Sequence, residues 1–147
     1  MPAAIPSSPR RRTEPVTFFG GRFRVPDVSQ RWVPPVLIAA VLLVASVVPP
    51  GPVGGTAGPL PVDELLHAAG YAALAGTLAG ALATRGRSTR RAATLSFCGA
   101  VAYGIGIELV QAGVPYRAFS LADAGANTLG ALVGAAVVAE YRRRTRR

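Results

Sequence analysis

The 147-residue sequence contains one cysteine, one histidine and seven acidic residues, and all of its basic residues are arginine. A single cysteine excludes a disulfide framework, and one cysteine with one histidine excludes the common Cys/His zinc modules. Sixteen arginines give a formal net charge of +9, yet half of the residues are hydrophobic and the mean hydropathy is +0.37. High hydropathy combined with high charge requires that the apolar and the charged residues be segregated along the chain.

The segregation takes the form of four apolar runs separated by short polar or basic segments. The runs predict transmembrane helices at about residues 33–48, 63–83, 92–112 and 121–139. The first run is short, because its sixteen residues span about 24 Å, less than the roughly 30 Å hydrocarbon core, unless Trp32 and its flanks lie in the interface. Residues 32–140 are therefore expected to form an all-α bundle of four transmembrane helices with short loops.

The distribution of arginine predicts the orientation of this bundle. Residues 1–31 are rich in proline and arginine, which predicts a disordered basic tail, and residues 141–147 form a second basic segment. Four alternating spans place fifteen of the sixteen arginines on one side and only Arg117 on the other. The positive-inside rule then predicts a plasma-membrane protein with both termini in the cytoplasm. The basic blocks indicate orientation and attraction to anionic lipid, and no nucleic-acid partner is expected.

Two further expectations concern packing within the membrane. Cys98 lies in an apolar run without a second thiol, which predicts a small buried core residue. The pair Gly76 and Gly80, and the pair Gly130 and Gly134, have the four-residue spacing that lets helices approach closely.

Most remaining polar residues fall at the outer ends of the last three spans. In chain order they are Asp63, His67, Tyr71, Glu108, Gln111, Arg117, Asp123 and Asn127. Asp63, His67 and Tyr71 recur every four residues and therefore share one face of their helix. His67, Glu108 and Asn127 each lie about 6 Å inside a helix end, at one level. An ionisable group facing lipid costs about 2.5 to 3.5 kcal/mol near the bilayer centre, so we expect these groups to face the bundle.

Several of these residues also have purely structural interpretations. Asp63 could serve only as a favourable acid at a helix N-terminus. Ser120 and Asp123 have the spacing of a capping box. Asn127 could simply hydrogen-bond a neighbouring helix, and Tyr71 could be an interfacial or core aromatic residue.

Glu108 is harder to explain in this way, because the helix dipole disfavours an acid near the C-terminal end of a helix. Arg117 is the first candidate partner and His67 the second, and a purely structural Glu–Arg ion pair stays open. His67 beside carboxylates could act as a general base, ligate a metal or form an ordinary hydrogen bond. The dispersed carboxylates show no recognisable ligand spacing, so neither a metal nor another cofactor is expected.

Three motifs in chain order carry a family resemblance. They are Asp63-x3-His67-x3-Tyr71, then Tyr103-Gly104-x3-Glu108-x2-Gln111 with Arg117, and then Ser120-x2-Asp123-x3-Asn127-x2-Gly130. From Asp63 to the end of the fourth apolar run, the chain resembles the VanZ-like family of small membrane proteins. The resemblance implies a four-helix integral membrane protein, and the family takes its name from a member that lowers susceptibility to the glycopeptide teicoplanin. By position, it implies the same eight polar residues as the functional set.

The favoured functional hypothesis is an outward-facing polar site that binds an amphipathic cell-envelope ligand, such as a lipid headgroup or a lipid-linked wall precursor. In this hypothesis Arg117 contacts an anionic group of the ligand. Glu108, Asp123 and Asn127 hold its hydrogen-bond donors. Tyr71 forms the floor of the pocket.

Two alternatives remain open. The first is a membrane-embedded enzyme in which His67 or Glu108 is the general base toward a lipid-linked substrate. The second is a small assembly protein that binds a membrane partner or a second copy of itself. A transporter is disfavoured, because the inner halves of the spans lack the polar steps that an ion relay needs.

Overall fold

The structure, a computed structural model, describes residues 28–49, 62–83, 87–115 and 119–147. These ranges contain a 3₁₀ helix at Val28–Arg31 and four α-helices, namely α1 (Val33–Val47), α2 (Val62–Leu82), α3 (Thr89–Gln111) and α4 (Leu121–Arg144). The predicted all-α class is confirmed for this part of the chain. Residues 1–27, which make up most of the predicted tail, lie outside the described residues.

Helix length separates α1 from the other helices. α1 accommodates two prolines in its first turn, where a missing backbone N–H costs no intrahelical hydrogen bond, and it ends just before Pro49. Its 15 residues span only about 22 Å. α2, α3 and α4 are long and apolar enough to cross a membrane. The predicted capacity to span is therefore confirmed for these three helices, whereas the crossing of α1 stays a prediction.

α3 and α4 extend beyond the predicted apolar runs. α3 begins at Thr89, because the Ser88 side chain accepts a hydrogen bond from the Arg91 backbone N–H at 3.2 Å. α4 continues through Arg144, whose guanidinium pairs with Glu140 one turn earlier at 2.8 Å. Both extensions consist largely of polar residues, which a hydropathy pattern assigns to loops.

Glycine brings α2 and α4 into backbone contact. A Cβ atom built on Gly130 would collide with the Ala68 carbonyl, and one built on Gly134 would collide with the Ala72 carbonyl. Both contacts advance by four residues in the same direction, so the two helices run parallel. The close packing predicted at Gly130 and Gly134 is confirmed.

The two members of the other predicted glycine pair, Gly76 and Gly80, lie in different surroundings. A Cβ on Gly76 would make ordinary contacts of 3.6 and 3.7 Å with α4, whereas a Cβ on Gly80 would meet nothing within 4 Å. The expectation of close packing at Gly80 is wrong. The spacing to α4 is already that of ordinary contact at Gly76, and one turn later no atom lies within 4 Å of a Cβ at position 80.

α3 runs antiparallel to α2, and α1 lies beside both. Cβ atoms at Gly99 and Gly104 of α3 would approach Leu78 and Tyr71 of α2, so the chain directions are opposed. α1 is tied to α3 by a hydrogen bond of 2.6 Å from the Tyr103 hydroxyl to the Ala39 carbonyl, and it packs on α2 through Leu42.

This arrangement sorts the helix termini into two ends. The starts of α2 and α4 and the end of α3 meet at one end, which we call the polar end. The start of α3 and the end of α4 lie at the opposite, basic end. The described arginines at the start of α3 and the end of α4 are Arg87, Arg90, Arg91, Arg142, Arg143, Arg144, Arg146 and Arg147.

Cys98 does not occupy the core, and its predicted burial is wrong. The buried residues of this part of α3 recur every four positions, at Ala92, Ser96, Ala100 and Gly104. Cys98 lies midway between Ser96 and Ala100 and is exposed on the outer face. In a transmembrane helix, lipid-facing and packed positions are both apolar, so hydropathy cannot distinguish them.

Candidate functional site

Glu108 is fully buried at the polar end and links α3 to α4. Its Oε2 atom accepts a hydrogen bond of 3.1 Å from the backbone N–H of Ser120, the N-cap residue of α4. The Ser120 hydroxyl in turn accepts from the Asp123 backbone N–H at 3.2 Å, which is one half of the capping box that the spacing of these residues allows. In a capping box the acid three residues on would receive the Ser120 N–H, but here Glu108 of another helix receives it. The positive end of the α4 dipole thus offsets the unfavourable position of Glu108 on α3.

His67 and Asn127 link α2 to α4. His67 Nδ1 lies 3.0 Å from Asn127 Oδ1. Because an amide oxygen can only accept, Nδ1 carries the hydrogen of this bond. His67, the second candidate partner of Glu108, is therefore hydrogen-bonded to Asn127.

Tyr71 lies where all three helices meet. The residue is 1% exposed, and a Cβ on Gly104 would stand 3.0 Å from Tyr71 Cε1 and 3.4 Å from Asn127 Nδ2. The absence of a side chain at Gly104 therefore lets the phenol ring and the amide pack against α3. Glu108 follows Gly104 by one helical turn and therefore lies on the same buried face of α3. We call His67, Tyr71, Glu108 and Asn127 the polar cluster.

The polar cluster contains hydrogen-bonding capacity that the fold does not use. Three of its buried atoms have no hydrogen-bond partner among the described residues, namely Tyr71 Oη, Glu108 Oε1 and Asn127 Nδ2. Buried polar groups in proteins are nearly always paired, and an unsatisfied group within a bilayer costs several kcal/mol. Three such atoms, one from each of α2, α3 and α4, leave donor and acceptor capacity at the polar end that no described residue takes up.

The other four predicted site residues lie outside this cluster. Gln111 is buried, and its side-chain amide donates to the Ser46 carbonyl of α1 at 3.3 Å. Asp123 is half-buried in the first turn of α4. Asp63 belongs to the first turn of α2, whose described side chains begin at Glu64. Arg117, and with it the predicted Glu108–Arg117 pair, lies outside the described residues.

Two contributors to the site were absent from the predicted set. Gly104 lies one turn before Glu108 on the same face, and this spacing could have identified it. Ser120 contributes its backbone N–H, which no side-chain pattern reveals.

Chemically, the polar cluster offers hydrogen bonds from an imidazole, a phenol, an amide and a carboxylate. Within the described ranges, no three His, Cys, Asp or Glu residues are grouped closely enough to hold a metal ion.

Three helices able to cross a membrane, joined by a buried polar cluster at one end, define the class as a small helical membrane protein. The model of the VanZ/LLP1 family matches residues 62–141, more than half of the sequence, and the chain belongs to this family. The resemblance carried by the three sequence motifs is confirmed. The match contains the whole polar cluster and begins after α1. No curated protein and no solved structure matches the chain.

Proposed function

We propose that this VanZ-family protein crosses the plasma membrane four times, with both termini in the cytoplasm and the polar end facing outward. The arginines at the start of α3 and the end of α4 support this orientation, because both groups lie at the basic end. α1 begins at the same end, since its contacts with α3 run in parallel from Ala39 to Ser46. Trp32, which is 40% exposed, is suited to anchor the short α1 in the interface.

Cysteine labelling in intact cells tests this topology. In a Cys98→Ala background, a membrane-impermeant maleimide should label Ala112→Cys at the polar end without permeabilisation. Gln30→Cys and Thr145→Cys should be labelled only after permeabilisation, because they flank the basic ends of α1 and α4. All three native residues are exposed. Labelling of Gln30→Cys in intact cells would show that α1 does not cross, and labelling of Thr145→Cys would reverse the orientation.

The function that the site supports best is binding of an amphipathic cell-envelope ligand at the outer bilayer surface. The observation that carries this proposal is the set of three unpartnered buried polar atoms at the polar end. A ligand of this kind keeps its apolar chains in the bilayer and presents its headgroup at the depth of the polar cluster. Sequestration or shielding of a lipid-linked ligand would account for an effect on susceptibility to teicoplanin-type glycopeptides.

The edge of the polar cluster provides a route for the headgroup. His67 and Asp123 are half-buried, whereas Tyr71, Glu108 and Asn127 are almost completely buried. The side of the cluster formed by His67 and Asp123 is therefore the one from which a headgroup approaches the buried atoms.

Arg117 supplies the attraction for an anionic headgroup in this proposal, because it is the single arginine on the predicted outer side. Arg117→Gln should weaken binding of short-chain phosphatidylglycerol about tenfold, the loss expected for one charge-assisted hydrogen bond. Native mass spectrometry of the purified protein in an amine-oxide detergent measures this binding. Arg146→Gln at the basic end is the matched control and should bind like wild type. Equal weakening by both substitutions would indicate non-specific attraction and would contradict an outer anionic site.

A further inference from the structure

We propose that the headgroup recognised by the polar cluster carries neighbouring hydroxyl groups, as a glycerol or sugar headgroup does. This inference rests on the proposed function and specifies the ligand's chemistry. Its basis is the hydrogen-bonding character of the three unpartnered atoms.

The three atoms differ in whether they can donate or accept a hydrogen bond from a ligand. Asn127 Nδ2 can only donate, a Glu108 carboxylate oxygen can only accept, and the Tyr71 hydroxyl can do either. A phosphate oxygen would suit Asn127 and Tyr71 but would be repelled by Glu108. An ammonium group would suit Glu108 but would leave Asn127 unpaired. A hydroxyl both donates and accepts, so two neighbouring hydroxyls can satisfy all three atoms.

The remaining atoms of the same three side chains are already held by contacts within the protein. His67 holds Asn127 Oδ1 at 3.0 Å, and the Ser120 N–H holds Glu108 Oε2 at 3.1 Å. The Tyr71 ring is confined against Gly104. Groups held in this way lose little conformational entropy when a ligand binds, which favours affinity and selectivity.

The proposed ligand therefore has two recognisable parts. Its hydroxyls occupy the polar cluster, and its anionic group is the one that the proposed function assigns to Arg117. A phosphate diester with a polyol headgroup combines both parts on a lipid anchor. Selectivity among anionic lipids should come from the hydroxyls, because many membrane lipids carry an anionic group.

Two lipids that differ only in their hydroxyls test the inference. Short-chain phosphatidylglycerol and phosphatidylpropanol have the same charge and nearly the same size, but only the former carries headgroup hydroxyls. In an amine-oxide detergent, which has no hydroxyl, native mass spectrometry should show about tenfold tighter binding of phosphatidylglycerol. Free glycerol phosphate at equal concentration should compete poorly, because it lacks the lipid anchor.

Tyr71→Phe removes one of the three atoms while keeping the ring. It should reduce the preference for phosphatidylglycerol to within about threefold, whereas Tyr141→Phe on the exposed face near the basic end should leave it unchanged. Without ligand, Tyr71→Phe should be at least as thermally stable as wild type, because the lost hydroxyl has no described partner. Lower stability with unchanged preference would assign the hydroxyl to the fold and would overturn its role in binding.

The same measurements distinguish failure of hydroxyl recognition from failure of the proposed function. Equal, Arg117-dependent binding of both lipids would overturn hydroxyl recognition while keeping the outer anionic site. Binding of neither lipid, or binding of both independently of Arg117, would overturn the proposed function as well. Full competition by free glycerol phosphate would assign the site to a soluble polyol and would overturn the lipid headgroup.

Discussion

Replacing Gly134 with alanine should destabilise the helical bundle by about 3 kcal/mol, at the upper end of the usual range for overpacking. An added Cβ would stand only 2.8 Å from the Ala72 carbonyl carbon and closer still to its oxygen. Backbone atoms cannot rotate away as a flexible side chain can, so α2 and α4 must move apart. That separation would also strain the His67–Asn127 hydrogen bond, which joins the same two helices nearer the polar end.

Thermal unfolding of the purified protein measures this effect, and α4 contains a matched control. A Cβ on Gly125 would meet nothing within 4 Å. Gly125→Ala should therefore be neutral or should stabilise the protein by up to about 1 kcal/mol through helix propensity. Equal stability of Gly134→Ala and Gly125→Ala would contradict the backbone contact between α2 and α4.

Replacing Glu108 with glutamine should remove ligand binding while preserving the fold. Glutamine keeps the side-chain shape and an oxygen that can accept the Ser120 N–H. However, it replaces the unpartnered acceptor Oε1 with an amide donor and removes the charge. A hydrogen bond to a charged group contributes about 1.5 to 3 kcal/mol, so phosphatidylglycerol binding should fall roughly ten- to a hundredfold.

Native mass spectrometry and thermal unfolding of the same samples separate the effects on binding and on the fold. Glu140→Gln is the matched control, because Glu140 is exposed near the basic end and pairs only with arginines of its own helix among the described residues. It should bind phosphatidylglycerol like wild type. Loss of stability without loss of binding in Glu108→Gln would make Glu108 a structural cap of α4 alone.

The sequence predicted where the four helices lie, but some helix ends were predicted more accurately than others. α1 could be placed closely, because proline marks its start and follows its end. The ends of α3 and α4 near the basic end could not, because polar caps and ion pairs extend helices beyond their apolar residues. The exposed position of Cys98 was missed for a related reason. Apolar residues are favourable on every face of a helix in a bilayer, so hydropathy does not show which face is packed.

The polar cluster could be predicted in part from depth. His67, Glu108 and Asn127 were placed at one level by counting residues from helix ends, and the structure brings them to the same end of the bundle. The pairing could not be predicted, because Glu108 binds a backbone N–H of Ser120 and His67 binds an amide rather than a carboxylate. Gln111 was placed in the site because it lies near the outer end of the third span, yet it binds the Ser46 carbonyl of α1. Sequence spacing gives the face of a helix but not the neighbour that covers it.

The central claim is that the polar cluster carries the biological activity of this VanZ-family protein. Its most direct test is teicoplanin survival of a susceptible host that expresses wild type, Glu108→Gln or Glu140→Gln at equal membrane abundance. We expect protection by wild type and Glu140→Gln and loss of protection in Glu108→Gln. Equal protection by wild type and Glu108→Gln would contradict the claim, because an activity that survives loss of the buried carboxylate does not depend on the polar cluster.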